Sequence, residues 1–245
     1  MTITALYTKI AIQQDKFNAS VYPDWRTRGF AWHRACSVEL VELMEHLNCW
    51  KWWKGPKPDL KQAQMELVDV LHFLVSDLLV GHSNKGAPIG FEEIGNVFEN
   101  AFSRVTPAEL LDFTSPEAIE NYLAKLDSAI AKAASSTLGL DLDLFAQLCL
   151  PLGLDATTLG KMYFGKNALN ALRQAKGYKK GVWSPGQVYV EGHYVKYWGE
   201  NYTKEDNEVL FEILETHEAE ISASESPLQT LSKYLEAHYP KVMPA

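Results

Sequence analysis

Glu39 and Glu42 stand three residues apart in CSVELVELMEHL, and Glu66 and Asp69 stand three apart in MELVDVLHF. In a helix that spacing stacks each pair on one face, one turn apart. Like charges so placed repel by roughly 0.2–0.5 kcal/mol even in water. The flanking Leu40, Val41, Leu43, Leu67, Val68 and Leu71 imply partial burial, where an uncompensated charge is far more costly. Cations are the natural compensation, and hard carboxylate oxygens select Mg²⁺, with Mn²⁺ as a substitute. A single E-x-x-E is ordinarily a solvated helix face. Two such pairs in successive apolar segments argue for a metal cluster of Glu39, Glu42, Glu66 and Asp69. Glu45, three beyond Glu42, reads as exposed. His72, three beyond Asp69, would suit a di-iron bundle, but that class carries E-x-x-H on two helices and this chain shows one D-x-x-H.

A second constellation is basic. Lys166, Asn170 and Arg173 follow the i, i+4, i+7 rule of one helical face, with Asn167 beside them and Tyr178, Lys179 and Lys180 directly after. Clustered donors of this kind suit an oligophosphate, and the guanidinium of Arg173 suits forked hydrogen bonds. By itself such a row reads sooner as a solvated helix end, where cations are favoured anyway. Opposite a carboxylate-held metal, phosphate binding becomes the better reading. The tryptophans of CWKWWK are core or interface residues by default, with one of them, Trp53, a candidate wall of a nucleoside pocket.

The elements that must carry these residues are almost all helical. Apolar periodicity predicts helices over 3–18, 32–47 and 60–82, two or three within 91–137, then 141–152 and 155–175. Breakers separate them: Pro and Gly in VYPDWRTRGF, two prolines in KGPKPD, Thr106-Pro107 and Ser115-Pro116. Asp59 is placed to cap the third helix and Gly177 to end the seventh. QVYVEGHYVKY alternates around Glu191-Gly192, which predicts a small β-hairpin near 187–197. EDNEVLFEILETHEAEI returns to a helix, and a last short one is expected over about 226–238. No linker divides the chain, so one all-α domain over 1–245 is expected, with 91–140 as a smaller helical part.

Composition sets bounds. The chain has 245 residues, 47% hydrophobic and 22% charged, which is enough for a sizeable core. Its formal net charge of −8 argues against nucleic-acid binding, which needs a basic surface. The three cysteines are scattered and odd in number, and fit reduced thiols better than disulfides or zinc. The opening MTITALYTKIAIQQDKF lacks a leader pattern and no run of apolar residues reaches membrane length, so a cytoplasmic protein without membrane contact is expected.

Taken together, the E-x-x-E helix, W-K-W-W-K and E-L-V-D-V-L-H-F resemble the dimeric, all-α dUTPases, which belong to the MazG-like nucleoside triphosphate pyrophosphohydrolases. YFGKNALNALRQAKGYKKG is similar to that family's phosphate motif, and KEDNEVLFEIL to its closing motif. The resemblance covers 10–82 and 159–215. It implies a helical bundle, a homodimer and hydrolysis of dUTP, and of dUDP, to dUMP with Mg²⁺. It places Asn207 near the phosphates and His72 and Phe73 near the sugar and base. It also implies a uracil-reading Gln and Asn. Here Asn18 has Asp15 at the family's usual glutamine spacing, so Gln13 or Gln14 takes that part, and Gln14 shares a helix face with Asn18. Either Glu39 or Glu42 would act as general base on the attacking water. A pyrophosphohydrolase for another nucleotide such as dCTP, and a non-catalytic nucleotide binder, are the competing readings. The stretch between GYKKG and EDN is longer than the family pattern and carries the expected hairpin.

Overall fold

The helices begin where short polar side chains close the first turn. Thr2 accepts a hydrogen bond from the Ala5 N–H at 3.2 Å and opens α1, Ile3–Val21. Asp59 accepts from the Gln62 N–H at 3.1 Å and opens α3, Leu60–Val80. Ser115, followed by a proline that has no N–H to lose, opens α5, Pro116–Ala134. Between these lie α2, Trp32–Leu47, and α4, Phe91–Arg104. Asp141 caps α6, Leu142–Cys149, and α7 spans Ala156–Ala175.

The computed structural model describes residues 1–55, 57–81, 87–106, 109–135, 140–175, 187–190, 193–196, 206–224 and 226–238. Among them the chain forms ten α-helices and one two-stranded antiparallel hairpin, so the all-α expectation holds. α1 runs to Val21, three residues past its expected end, because no breaker comes before Pro23. α3 stops at Val80 because Gly81 adopts φ 76°, a left-handed conformation that glycine takes without strain. The expected helix over 141–152 tightens into a 3₁₀ turn at Leu150–Leu152, around Pro151. The predicted run over EDNEVLFEILETHEAEI divides into α8, Asp206–Thr216, and α9, Glu218–Ala223. Gly177 lies outside the described residues. No single helix among those described is long and apolar enough to cross a membrane.

The residues group into two compact units, Met1–Tyr163 and Phe164–Ala245, divided inside α7. In the first unit α3 is central: 14 of its 21 residues are buried, as expected of a helix with apolar residues on every side. α2 packs along α3 and α5, while α1 packs along α4 and α3. Tyr7 stacks on Phe98 at 4.5 Å between ring centres. Gly95 lets α4 come close to α1, since a Cβ there would lie 2.4 Å from the Thr4 carbonyl oxygen.

In the second unit α8 packs against α9 and against α10, Pro227–His238. Their contact buries Leu210, Phe211, Leu231 and Leu235. Gly165 of α7 leaves room for Leu210 of α8. The hairpin pairs β1, Gln187–Val190, with β2, His193–Lys196, and Val190 faces His193 across it. The hairpin lies within the expected 187–197, and Glu191-Gly192 lies outside the described residues.

Candidate active site

The two acidic helices do meet. Within the first unit, one carboxylate oxygen each of Glu39, Glu42 and Glu66 lies within 4.8 Å of the others. Glu66 is buried, Glu39 half-buried and Glu42 exposed, so the group is open on one side. Burial, then the charge of Asp69, a hydrogen bond with Glu66 and the charges of Glu42 and Glu66 together push the Glu39 carboxyl up to about 8. Asp69, Glu42 and Glu66 therefore all act on Glu39, although Asp69 is not one of the three whose oxygens converge within 4.8 Å. A set of hard oxygen donors that cannot all ionise together fits a divalent cation such as Mg²⁺ or Mn²⁺, and the absence of thiol or multiple imidazole donors makes it a poor fit for zinc. Glu45 turns aside to Lys51, whose Nζ donates to it at 2.7 Å.

A residue not anticipated from sequence joins this group. His46, at the end of α2, has its Nε2 3.2 Å from Glu66 Oε1. It lies four residues beyond Glu42 and therefore on the same face. That spacing was the available signal.

Along the same unit, α1, α3 and the first half of α7 enclose a chain of buried amides and hydroxyls. The Gln14 Nε2 donates to Asn18 Oδ1 at 2.9 Å, and the Asn18 Nδ2 donates to Ser76 Oγ at 2.9 Å. Ser76 donates in turn to the carbonyl of His72, and Tyr163 donates its hydroxyl to Gln14 Oε1. His72 lies face to face with Tyr163, ring centres 4.4 Å apart, with its Nδ1 donating to the Val68 carbonyl. Gln14 is 2% exposed, so of the two candidate glutamines it is the one that shares this interior with Asn18. Ser76 and Tyr163 were not singled out by sequence, although Tyr163 heads the YFGKN stretch.

Phe73 stacks on Trp32 at 6.2 Å, and Trp32 meets Trp25 and Phe30 edge-on. Trp25 and Phe30 come from the stretch before α2 and Trp32 from its first residue, and sequence reasoning assigns none of the three a role. Trp53 packs edge-on against Trp50 and Trp52 and is 53% exposed, and no described contact joins it to the amide chain.

In the second unit the predicted basic row meets the start of α8. Lys166 Nζ donates to Asn207 Oδ1 at 3.2 Å. Arg173 donates through Nε to Asp206 Oδ2 at 2.8 Å and through Nη1 to Asn170 Oδ1 at 3.2 Å. Asn167 is fully buried beside them. Asp206, the first residue of α8, is thus the carboxylate that holds Arg173. Tyr178, Lys179 and Lys180 lie outside the described residues.

A protein-family model described as dUTPase matches residues 7–178, which span the carboxylate cluster, the amide chain and most of the basic row. A comparison with curated proteins finds no match. With most of its length matched and its helices in the expected order, the chain belongs to the all-α dUTPase family and is a dUTP-hydrolysing enzyme.

Proposed function

We propose that the enzyme hydrolyses dUTP, and dUDP with it, to dUMP in a Mg²⁺-dependent reaction, with Glu39, Glu42, Glu66 and Asp69 holding the cation. The observation that carries this reading is that burial and three neighbouring carboxylates, Asp69, Glu66 and Glu42, push the Glu39 carboxyl up to about 8. When bound, the cation binds phosphate oxygens, offsets charge developing in the transition state and lowers the pKa of bound water. Glu39 or Glu42 takes the proton from the attacking water. The row of Lys166, Asn167, Asn170, Arg173 and Asn207 binds the phosphate chain, together with Tyr178 and Lys179. Because the diphosphate unit is common to both substrates, Arg173→Ala should lower activity on dUTP and dUDP alike, by about 10–100-fold.

Gln14 and Asn18 read the base. Each amide spends only part of its hydrogen-bonding capacity on its neighbours, since a carboxamide offers two donors and two lone pairs. Uracil presents an N3–H donor beside carbonyl acceptors, whereas cytosine presents an acceptor at N3 and an amino group. Amides held by a fixed network accept the first pattern and lose buried hydrogen bonds with the second. His72 and Phe73 border the sugar and base and leave no room for a ribose 2′-hydroxyl. The enzyme works as a homodimer. Supporting this, Val38 and Val41 of α2 and Trp52 and Trp53 of the following connection are large apolar side chains left exposed in the single chain.

A turnover assay with dUTP, dUDP, dTTP, dCTP and UTP, with and without Mg²⁺, tests the reaction. Uracil deoxynucleotides should be hydrolysed with strong preference and only with the cation. Preference for dCTP would transfer the site to the related pyrophosphohydrolases. Sedimentation at micromolar concentration tests the dimer, and a species of 27.6 kDa alone would refute it.

A further inference from the structure

His46 is attached twice to the helix that carries Glu66. Its backbone carbonyl accepts from the Asp59 N–H at 2.8 Å, and Asp59 is the residue that caps α3. Its ring Nε2 lies 3.2 Å from Glu66 Oε1. One residue therefore ties the end of α2 to both the start and the second turn of α3, across the connection that separates Glu39 and Glu42 from Glu66.

The Glu66 carboxylate needs such a tie. It is buried against two other carboxylates, and like charges drive it to rotate away from them. The Nε2 edge of the ring, 3.2 Å from Oε1, restrains that oxygen, while a hydrogen bond with Glu39 engages the same carboxylate. The nearby Glu45 is held by Lys51, which leaves Glu66 as the acid on which the ring of His46 is placed. Both the neutral Nε2–H tautomer and the imidazolium supply this donor, so its geometry does not depend on a change of charge.

We propose that His46 is a positioning residue: through its Nε2–H it orients the Glu66 carboxylate so that the cluster with Glu39 and Glu42 is complete for a divalent cation. This rests on reading the cluster as a cation site. Carboxylates that ligate metals are held by outer hydrogen bonds, and loss of such a partner weakens affinity by about 10–100-fold. The imidazole is about one-third exposed, so its removal admits water and does not open a core void.

The test is Mn²⁺ binding to the full, nucleotide-free chain, followed by the electron paramagnetic resonance of free Mn²⁺. Wild type is compared with His46→Ala, His46→Gln and Glu66→Gln, with thermal unfolding of each metal-free protein recorded alongside. His46→Ala should weaken binding by about 10–100-fold, while His46→Gln, which keeps an N–H at similar reach, should stay within about threefold of wild type. In turnover, the His46→Ala defect should shrink as Mn²⁺ is raised, with kcat approaching wild type. Wild-type binding in His46→Ala, with Glu66→Gln defective, overturns the role of His46 and leaves the cation site standing. Equal weakening by Ala and Gln also overturns it, because the hydrogen bond would then not be what matters. Wild type that binds no Mn²⁺ removes the cation site and this role with it.

Discussion

Helix α3 carries two polar patches that meet burial in opposite ways. Toward its start, Glu66 and Asp69 face Glu39 and Glu42, and the group gathers more negative charge than it can hold. One to two turns later, His72 and Ser76 join Gln14, Asn18 and Tyr163 in a chain where donor follows acceptor. The second patch pairs donors with acceptors inside the protein, which rigidifies the helices around it. The first sets carboxylates against one another, and under the proposed reading a cation offsets their charge. The contrast fits the two tasks proposed for them: a paired network offers fixed geometry for reading a base, and a cluster of mutually repelling carboxylates offers affinity for a metal.

The largest expected effect comes from neutralising the first patch. Glu39→Gln, Glu66→Gln or Asp69→Asn should each reduce turnover by about 10²–10³-fold or more at saturating Mg²⁺. The metal-free Glu39→Gln protein should melt no lower than wild type at neutral pH, because the amide replaces a carboxyl that is already largely protonated there, and higher than wild type above about pH 8, where Glu39 would ionise. Near-normal turnover in any one variant would exclude that residue as a ligand.

Substitution in the second patch should do the reverse. Gln14→Ala leaves the Tyr163 hydroxyl and the Asn18 oxygen without their partner, which costs about 1–3 kcal/mol of stability with or without Mg²⁺. The ratio of dUTP to dCTP hydrolysis should fall while Mn²⁺ affinity is kept. If Gln14→Ala changes stability but not that ratio, the amide chain is structural and the base is read elsewhere.

A pH series probes the frustration directly. Glu39 titrates near 8 in the folded protein, against 4.5 in an ordinary environment. Between those values the folded state keeps a proton that the unfolded chain has released. Metal-free stability should therefore be highest below about pH 4.5 as far as this group is concerned, and should fall as pH rises through about 8. Urea unfolding at several pH values should show that slope, and Glu39→Gln should flatten it.

The smallest effect belongs to Ser76→Ala, which shortens the amide chain at its far end. It should cost about 1 kcal/mol or slightly more in urea unfolding, with no change in Mn²⁺ binding. A loss of metal affinity there would mean that the two patches are coupled through α3.

Much of this molecule is legible in its sequence because the relevant signals are local. Asp59 and Ser115-Pro116 mark helix starts through bonds made within four residues, and α2 spans Trp32–Leu47 where periodicity places it. The paired carboxylates and the Lys166–Arg173 row are likewise visible, since helical spacing alone puts their members on one face. The choice between Gln13 and Gln14 was not visible. Both belong to α1, and only its packing against α3 and Tyr163 buries the second of them. Asp206 shows the same limit: a helix-start acid by its position, it became the partner of Arg173 when α8 met α7. Ser76 carries no sequence mark that distinguishes it from any other polar residue in an apolar helix, and the spacing of His46 from Glu42 gives its face but not its partner on α3. Local spacing determined which residues stand on a common face, because a helix repeats at short range. Tertiary packing alone decided which faces meet, because that depends on apolar surfaces far apart in the chain burying one another, and the polar partners follow from that fit.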